Sequence, residues 1–508
     1  MADNELRHLP APFLTLQIPD EEGTARLAND LAMTLRQGDT VCLSGDLGAG
    51  KSTFSRALIR SFAGEPELEV PSPTFTLVQS YAFDRFDLSH FDLYRLEEPE
   101  ELEELGLDDL LEAGAALIEW PEKAEDLLPA HALWIQISQP DEESDARIFS
   151  FSSEETSWQI RIGETLRIRD FLQGTEFADA ERRFLAGDAS LRTFETVDTG
   201  AENAVLMRWP FLGDAVDPSV RDYMEKVHLA RDCRSVVAVG TQLRRRGLLA
   251  AEILGSSIED GLILSQDLGQ ETIVVNGRPV RERYLAAVDV LAKMHGEPWP
   301  GAVELPDGAS YRLPAYSTEA LVAEASLFLD WYVPESTGTP VDEAMRAEFE
   351  TLWRNALESL GNAQRGWVLR DFHSPNLLWQ DSETGTDRIG LIDFQDTVIG
   401  PVAYDVASLL MDARTDIDVE LETDLFDAYV SAREKQTGVF NRSGFSTAYA
   451  VMAAQRNSKI LGIFVRLARR DGKPAYLSHL PRILGYLDRA LETPALSELK
   501  NWYRRYRP

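Results

Sequence analysis

At 508 residues, 44% apolar and 27% charged, the chain exceeds what one core holds and fits two to four soluble globular domains. Its two cysteines, Cys42 and Cys233, exclude a disulfide framework, and no apolar run reaches membrane-spanning length. A formal net charge of −35 argues against unaided nucleic-acid binding, most strongly for residues 1–160, where 33 acidic and 10 basic side chains leave −23.

The opening stretch, MADNELRHLPAPFLTLQIPDEE, has neither the basic leader nor the apolar core of a secretory signal, so a cytoplasmic chain is expected. LTLQI reads as a strand, and residues 19–36 read as a helix with Ala25, Leu27, Leu31, Ala32 and Leu35 on its apolar stripe. A short apolar strand, Val41 to Leu43, then runs into Gly45-Asp46-Leu47-Gly48-Ala49-Gly50-Lys51-Ser52-Thr53. A helix follows, with Phe54, Ala57, Leu58 and Phe62 on one face. This is GxxxxGK[ST] in its required setting of strand, glycine loop and helix. Glycines let successive N–H groups and the helix N-terminus converge on phosphate oxygens. Lys51 is expected at the β- and γ-phosphates and the Ser52 hydroxyl on Mg²⁺, which makes ATP and Mg²⁺ the expected cofactors.

VPSPTFTLVQSYAF reads as a turn and then a strand. Ser72 and Thr74 there fit either a loop that senses the γ-phosphate or a capped turn leading into an edge strand. Leu88–Leu96 predicts a strand with Asp92 inside it, and EEPEELEELGLDDLLEAG an acidic amphipathic helix. Ala115–Trp120 is a buried strand ending in Glu119 and Trp120, and a strand end is where a metal-ordering carboxylate belongs. Residues 131–151 supply two closing strands.

The motifs GDLGAGKST, SPTF, HFDLYRL and EWPE, in that order, resemble the TsaE family, ATPases that support threonylcarbamoylation of adenosine in tRNA. The resemblance implies nucleotide held by Gly45, Asp46, Gly48, Ala49, Gly50, Lys51, Ser52 and Thr53, with Trp120 beside it. It implies a γ-phosphate-facing loop at Ser72 to Phe75, acidic catalytic roles for Asp92 and Glu119, and Mg²⁺ near Ser52 and Glu119. It also implies that ATP is hydrolysed while the domain is docked on proteins of the tRNA threonylcarbamoyl-transferase complex, without direct contact to nucleic acid.

The pattern weakens over residues 152–164, where the domain junction is expected. The domains are then 1–155 and 165–508, the second with an N-lobe to about residue 270 and a C-lobe from 271. A helix over 165–180 precedes AERRFLAGDASLRTFETVDT, a hairpin with Gly187, Asp188, Ala189 and Ser190 at its tip. Strand AVLMRWP, two helical runs near 223–233 and 237–247, and two further strands follow, the order of a kinase N-lobe. In Gly366–Asp405, Asp371 and Asn376 stand five apart in a loop, and Asp393 follows the apolar run IGLI. Phosphoryl transfer needs these parts: one carboxylate for the acceptor proton, an amide on a metal, and a second carboxylate bridging Mg²⁺ to the phosphates. Arg370 is read as steadying the loop or the phosphates, and His373 as a structural hydrogen-bonder. Asp396 is read as a supporting residue, and Asp405 as a helix-start carboxylate favoured by the helix dipole.

This half resembles the aminoglycoside phosphotransferase group, and GDASLRTF, VLRDFHSPNLLW and LIDFQD most resemble the AmgK family of sugar kinases acting on N-acetylmuramic acid and N-acetylglucosamine. The likeness implies Asp371 as catalytic base, Asn376 and Asp393 as metal ligands, and Asp188, Ala189 and Ser190 over the phosphates. Two departures stand out. Leu369-Arg370 replaces the group's usual His-Gly, and AVLMRWP lacks the N-lobe lysine, which leaves Arg208 as the candidate phosphate contact. An inactive, regulatory kinase half stays open as the rival. The expected fold is an α/β P-loop NTPase domain followed by an α+β bilobal protein-kinase-like domain, and the tail NWYRRYRP is expected to pack its aromatics.

Overall fold

In the computed structural model, which describes residues 10–141, 144–185, 192–210 and 217–507, the chain divides into two compact units, 1–208 and 209–508. In the first, strands β1 (Leu14–Ile18), β2 (Thr40–Ser44), β3 (Val78–Tyr81), β4 (Asp87–Asp92), β5 (Gly114–Glu119), β6 (Leu133–Ser138) and β7 (Arg147–Ser152) form one sheet in the order β1-β7-β6-β2-β5-β4-β3. Strand β2 is buried at every position and pairs in parallel with β5 and β6. Its alternate residues feed two cores. Val41 and Leu43 join Leu27, Leu31, Phe54, Leu58, Trp158 and Ile162 on one face, while Cys42 joins Phe91, Leu102, Leu107 and Trp134 on the other. A strand apolar in both registers has to be covered on both sides, which is why helices flank this sheet.

Helix α1 (Glu21–Ala32) starts at Asp20, whose carboxylate accepts from the Gly23 N–H at 2.7 Å, so it is shorter than the 19–36 expected. Helix α2 (Lys51–Ala63) begins inside the glycine loop. The acidic run does not form one helix. It breaks into α3 (Glu101–Glu104) and α4 (Leu107–Ala113) at Gly106, whose φ of +71° interrupts the helix. The helix expected over 165–180 differs too: residues 156–173 form one helix, α5 (Thr156–Gln173), which begins earlier and ends sooner than expected. Strands β8 (Glu181–Leu185), β9 (Thr193–Asp198) and β10 (Asn203–Arg208) pair antiparallel in sequence order and belong to this same unit.

The second unit opens with α6 (Pro218–Lys226), α7 (Arg234–Arg245) and the antiparallel pair β11 (Ile253–Ser257) and β12 (Leu262–Gln266). Helices α8 (Arg281–Gly296) and α9 (Thr318–Ala325) follow. Strands Leu377–Trp379 and Ile389–Leu391 pair antiparallel around the loop Ser382–Asp387, as expected. Seven further α-helices complete the unit among the described residues, one of them the 28-residue, largely buried Arg442–Arg469. Trp502 and Tyr503 of the C-terminal helix are each 1% exposed and pack on Phe328 and Phe349, so the tail serves the core.

Candidate functional sites

Strand register assembles the first site. Leu43 of β2 lies opposite Glu119 of β5, and Glu119 lies opposite Asp92 of β4, so the two acids end adjacent strands, the first of them next to the strand feeding the glycine loop. Gly45 is obligatory there: a Cβ would meet the Ile137 carbonyl oxygen at 2.3 Å, and its φ is +145°. Lys51 Nζ donates to the carbonyls of Gly45 and Asp46 at 2.6 and 3.0 Å and lies 3.5 Å above the Trp120 ring. Burial lowers its pKa, with Glu119 the strongest of the carboxylates that oppose the shift. Trp120 itself has φ +60°, a strained conformation that aims its ring at the loop and at Tyr94, 5.0 Å away.

Glu119, 1% exposed, accepts from the Ser52 hydroxyl at 2.8 Å, from Ser55 at 2.8 Å and from His90 Nε2 at 2.9 Å. The Nδ1 of His90 is buried without a partner, so Nε2 makes the ring's hydrogen bond. Asp92 accepts from Ser72 at 2.7 Å, from Thr74 at 2.8 Å and from the Tyr94 N–H at 3.1 Å. Ser72 and Thr74 thus form a hydroxyl turn tethered to a strand-end acid. Ala49 is buried and its carbonyl accepts from Arg147, while Asp46 and Thr53 stand in the loop and in the first turn of α2. Leu47 and Phe75 are 81% and 82% exposed.

These residues fit a magnesium nucleotide. The loop presents helix N–H groups, a lysine, a hydroxyl and one nearby carboxylate. No cluster of three or more metal-binding side chains occurs among the described residues, and Mg²⁺ needs none when phosphates and water complete its shell. Sequence reasoning missed His90 and Ser55. His90 was legible in principle, because it stands two residues before Asp92 on the same strand and so shares its face.

In the second unit, Asn376 brings Asp371 and Asp393 together. Its Nδ2 donates to the Asp371 carbonyl at 3.0 Å and approaches Asp393 Oδ2 at 3.4 Å, while Gln395 donates to the other Asp393 oxygen at 3.1 Å. The Asp371 carboxylate is 37% exposed, accessible to an acceptor. Its loop is held from beneath. The Leu369 and Arg370 N–H groups donate to Asp405 at 2.7 and 2.9 Å, so Asp405 is a fully buried anchor of this loop as well as a first-turn residue of its helix. Burial raises its pKa to about 7 although the two N–H donors pull it down.

Arg370 has φ +70° and is buried, donating to Glu324 and to the Val227 carbonyl. Glu324 also pairs with Lys459 at 2.9 Å; burial opposes its charge, yet Arg370 and Lys459 prevail and its pKa falls to about 2. Asp396 accepts from the Ala230 N–H at 2.7 Å, a supporting role. His373 Nε2 accepts from Arg414 at 3.3 Å, and burial lowers its pKa to about 3, so it is a neutral hydrogen-bonder. Nothing local in the sequence signals Glu324 or Lys459, because packing brings them to Arg370 from 46 and 89 positions away.

Two nominated sets remain. Asp188, Ala189 and Ser190 lie outside the described residues. Arg208 pairs with Glu164 of α5 at 2.5 Å and approaches the Thr193 hydroxyl at 3.4 Å.

Comparison with known proteins gives this geometry its family setting. Residues 18–148 match the family described as threonylcarbamoyl adenosine biosynthesis protein TsaE, and residues 181–438 match the phosphotransferase enzyme family. An N-acetylmuramate/N-acetylglucosamine kinase of Caulobacter vibrioides is 33% identical over 352 residues, covering 66% of this chain and 95% of that protein. The tRNA threonylcarbamoyladenosine biosynthesis protein TsaE of Rickettsia felis is 43% identical over 127 residues, 25% of this chain and 74% of that protein. Its Rickettsia bellii counterpart is 41% identical over 134 residues, 26% of this chain and 91% of that protein. The chain belongs to both families, a TsaE domain fused to a phosphotransferase-family domain of the N-acetylmuramate/N-acetylglucosamine kinase type.

Proposed function

We propose that this is a cytoplasmic bifunctional protein with two independent ATP·Mg²⁺ sites, its module boundary falling within residues 155–165. The N-terminal site hydrolyses ATP in support of tRNA threonylcarbamoylation. Lys51 leaves its own loop for the β- and γ-phosphates, and Ser52 and Glu119 order the metal. Asp92 and its tethered hydroxyls position the attacking water, and Trp120 flanks the nucleotide. The bound metal supplies neutralisation of phosphate charge. The Ser52–Glu119 hydrogen bond carries this reading, because it puts the hydroxyl of the glycine-loop motif against a strand-end acid. Exposed Leu47 and Phe75 beside an acidic surface support docking on a protein of the transferase complex rather than on RNA.

The C-terminal site phosphorylates a hydroxyl of an N-acetylated amino sugar. Asp371 accepts the acceptor proton, and Asn376 and Asp393 would hold the metal, with Asp188, Ala189 and Ser190 as the proposed phosphate contacts. The convergence of Asn376 on Asp371 and Asp393 carries this reading. Labelled ATP should give labelled N-acetylglucosamine or N-acetylmuramate, and Asp371→Ala should abolish transfer while nucleotide still binds. One observation favours a rival, a nucleotide-sensing module without transfer: β10 has no lysine, and Arg208 is engaged by Glu164. Equal, negligible transfer by wild type and Asp371→Ala to every amino sugar would establish the rival, and transfer to another hydroxyl or antibiotic would redirect the acceptor.

A further inference from the structure

The first unit holds a cavity of about 220 Å³ that is apart from the glycine loop. It lies where the turn after α1, the loop before β4, helix α5 and strands β8, β9 and β10 converge. Five arginines line it, Arg36, Arg85, Arg161, Arg182 and Arg208, against two carboxylates, Glu164 and Glu195.

The carboxylates are already engaged. Glu195 accepts from Arg182 Nε and Nη2 at 2.7 and 3.0 Å, and Glu164 accepts from Arg208 at 2.5 Å. Arg182 Nη1 is committed to Asp30 at 2.9 Å. Arg161 gives both Nη atoms to Asp39, at 2.5 and 3.1 Å. Its Nε is left buried and without a partner, in a side chain only 7% exposed. Arg85 spends its Nη atoms on the Ala32 and Leu35 carbonyls, at 3.3 and 3.0 Å, and lies over the rings of Phe62 and Phe184. Burial lowers its pKa, and the field of Glu195 offsets only part of that. Arg36 stands exposed at the rim.

A desolvated guanidinium N–H without an acceptor is costly, and a phosphoryl oxygen is the acceptor that best relieves it. The surplus here is of donors and positive charge, because every lining carboxylate is already chelated. We propose that this cavity binds a small phosphorylated anion, with Arg36 and Arg85 supplying the charge and Arg161 Nε a fixed donor. An occupant would touch the turn leading from α1 to β2 and, at the same time, strands β8, β9 and β10.

The test is isothermal titration of the full-length protein with inorganic phosphate, pyrophosphate and N-acetylglucosamine 1-phosphate. Both nucleotide sites are first saturated with the magnesium complex of a non-hydrolysable ATP analogue. Saturable binding is expected, weakened about tenfold by Arg36→Ser and further by adding Arg85→Gln, as loss of charge-assisted hydrogen bonds implies. Tighter binding of the sugar phosphate than of inorganic phosphate would identify a phosphosugar as the occupant, and the reverse would identify a free phosphate species. Arg36→Ser alters only the rim, so it decides the matter alone if Arg85→Gln fails to fold. Absence of saturable binding for all three probes, or unchanged affinity in Arg36→Ser and in the folded double variant, overturns the proposal.

Discussion

Arg370 carries a backbone cost of about 1 kcal/mol for a side chain in the left-handed region, yet its guanidinium is the charge that Glu324 needs in a fully buried setting. Removing the strain should therefore not stabilise the protein. Arg370→Gly is expected to lower stability by about 3 kcal/mol, read as a lower urea midpoint for the second unit, because a buried carboxylate loses one of its two cations. Asp405 gives a pH-dependent counterpart. Its carboxyl is raised from 3.8 to about 7 in the fold, so the folded state favours the protonated acid. The stability this contributes is complete below the unfolded value and is lost as pH rises through about 7. Wild type should accordingly lose stability relative to Asp405→Asn between pH 4 and 8, on the order of 3 kcal/mol, measured by thermal unfolding at stepped pH. The sequence shows Asp371, Asn376 and Asp393 through their spacing. It does not show the anchor role of Asp405, because a carboxylate at a helix start already has a sufficient local reason to be there.

Helix α5 is the element that sequence periodicity concealed. Four of its buried positions are Trp158, Arg161, Thr165 and Arg169, and a stripe carrying two arginines does not read as apolar. The acids that make those positions buried, Asp39 and Asp30, lie more than 120 residues earlier, so only the folded chain identifies them. By contrast, β2 and β5 were legible as short apolar runs, because both faces of each are covered. Trp158 and Ile162 complete the core under α1 and α2. A fragment ending at residue 155 should therefore expose that core, and a fragment ending at 175 should melt higher by differential scanning fluorimetry, with the buried Trp158 alone accounting for about 3 kcal/mol. The glycine loop permits a sharper test. Gly45→Ala should abolish ATP hydrolysis in the first unit, since the added methyl meets the Ile137 carbonyl at 2.3 Å.

Across the whole molecule, the two proposed sites draw on separate sets of residues. Lys51→Ala should remove ATP hydrolysis by the first unit and leave phosphoryl transfer intact, and Asp371→Ala should do the converse, measured as phosphate release and as labelled sugar in the same preparations. Loss of both activities in either variant would reveal coupling. With a net charge of −35, the protein should not be retained by immobilised tRNA at physiological salt without a protein partner, checked by pull-down.

The three donors around Glu119 have one more consequence, for the sequence of loading events. The Ser52 hydroxyl is already committed to the acid, and each oxygen of that carboxylate accepts from a neighbouring side chain, so a hydrated cation has to compete with them. Magnesium alone, reluctant to shed water, has little to gain there. Order-of-addition experiments should find that the ion arrives already chelated to its triphosphate.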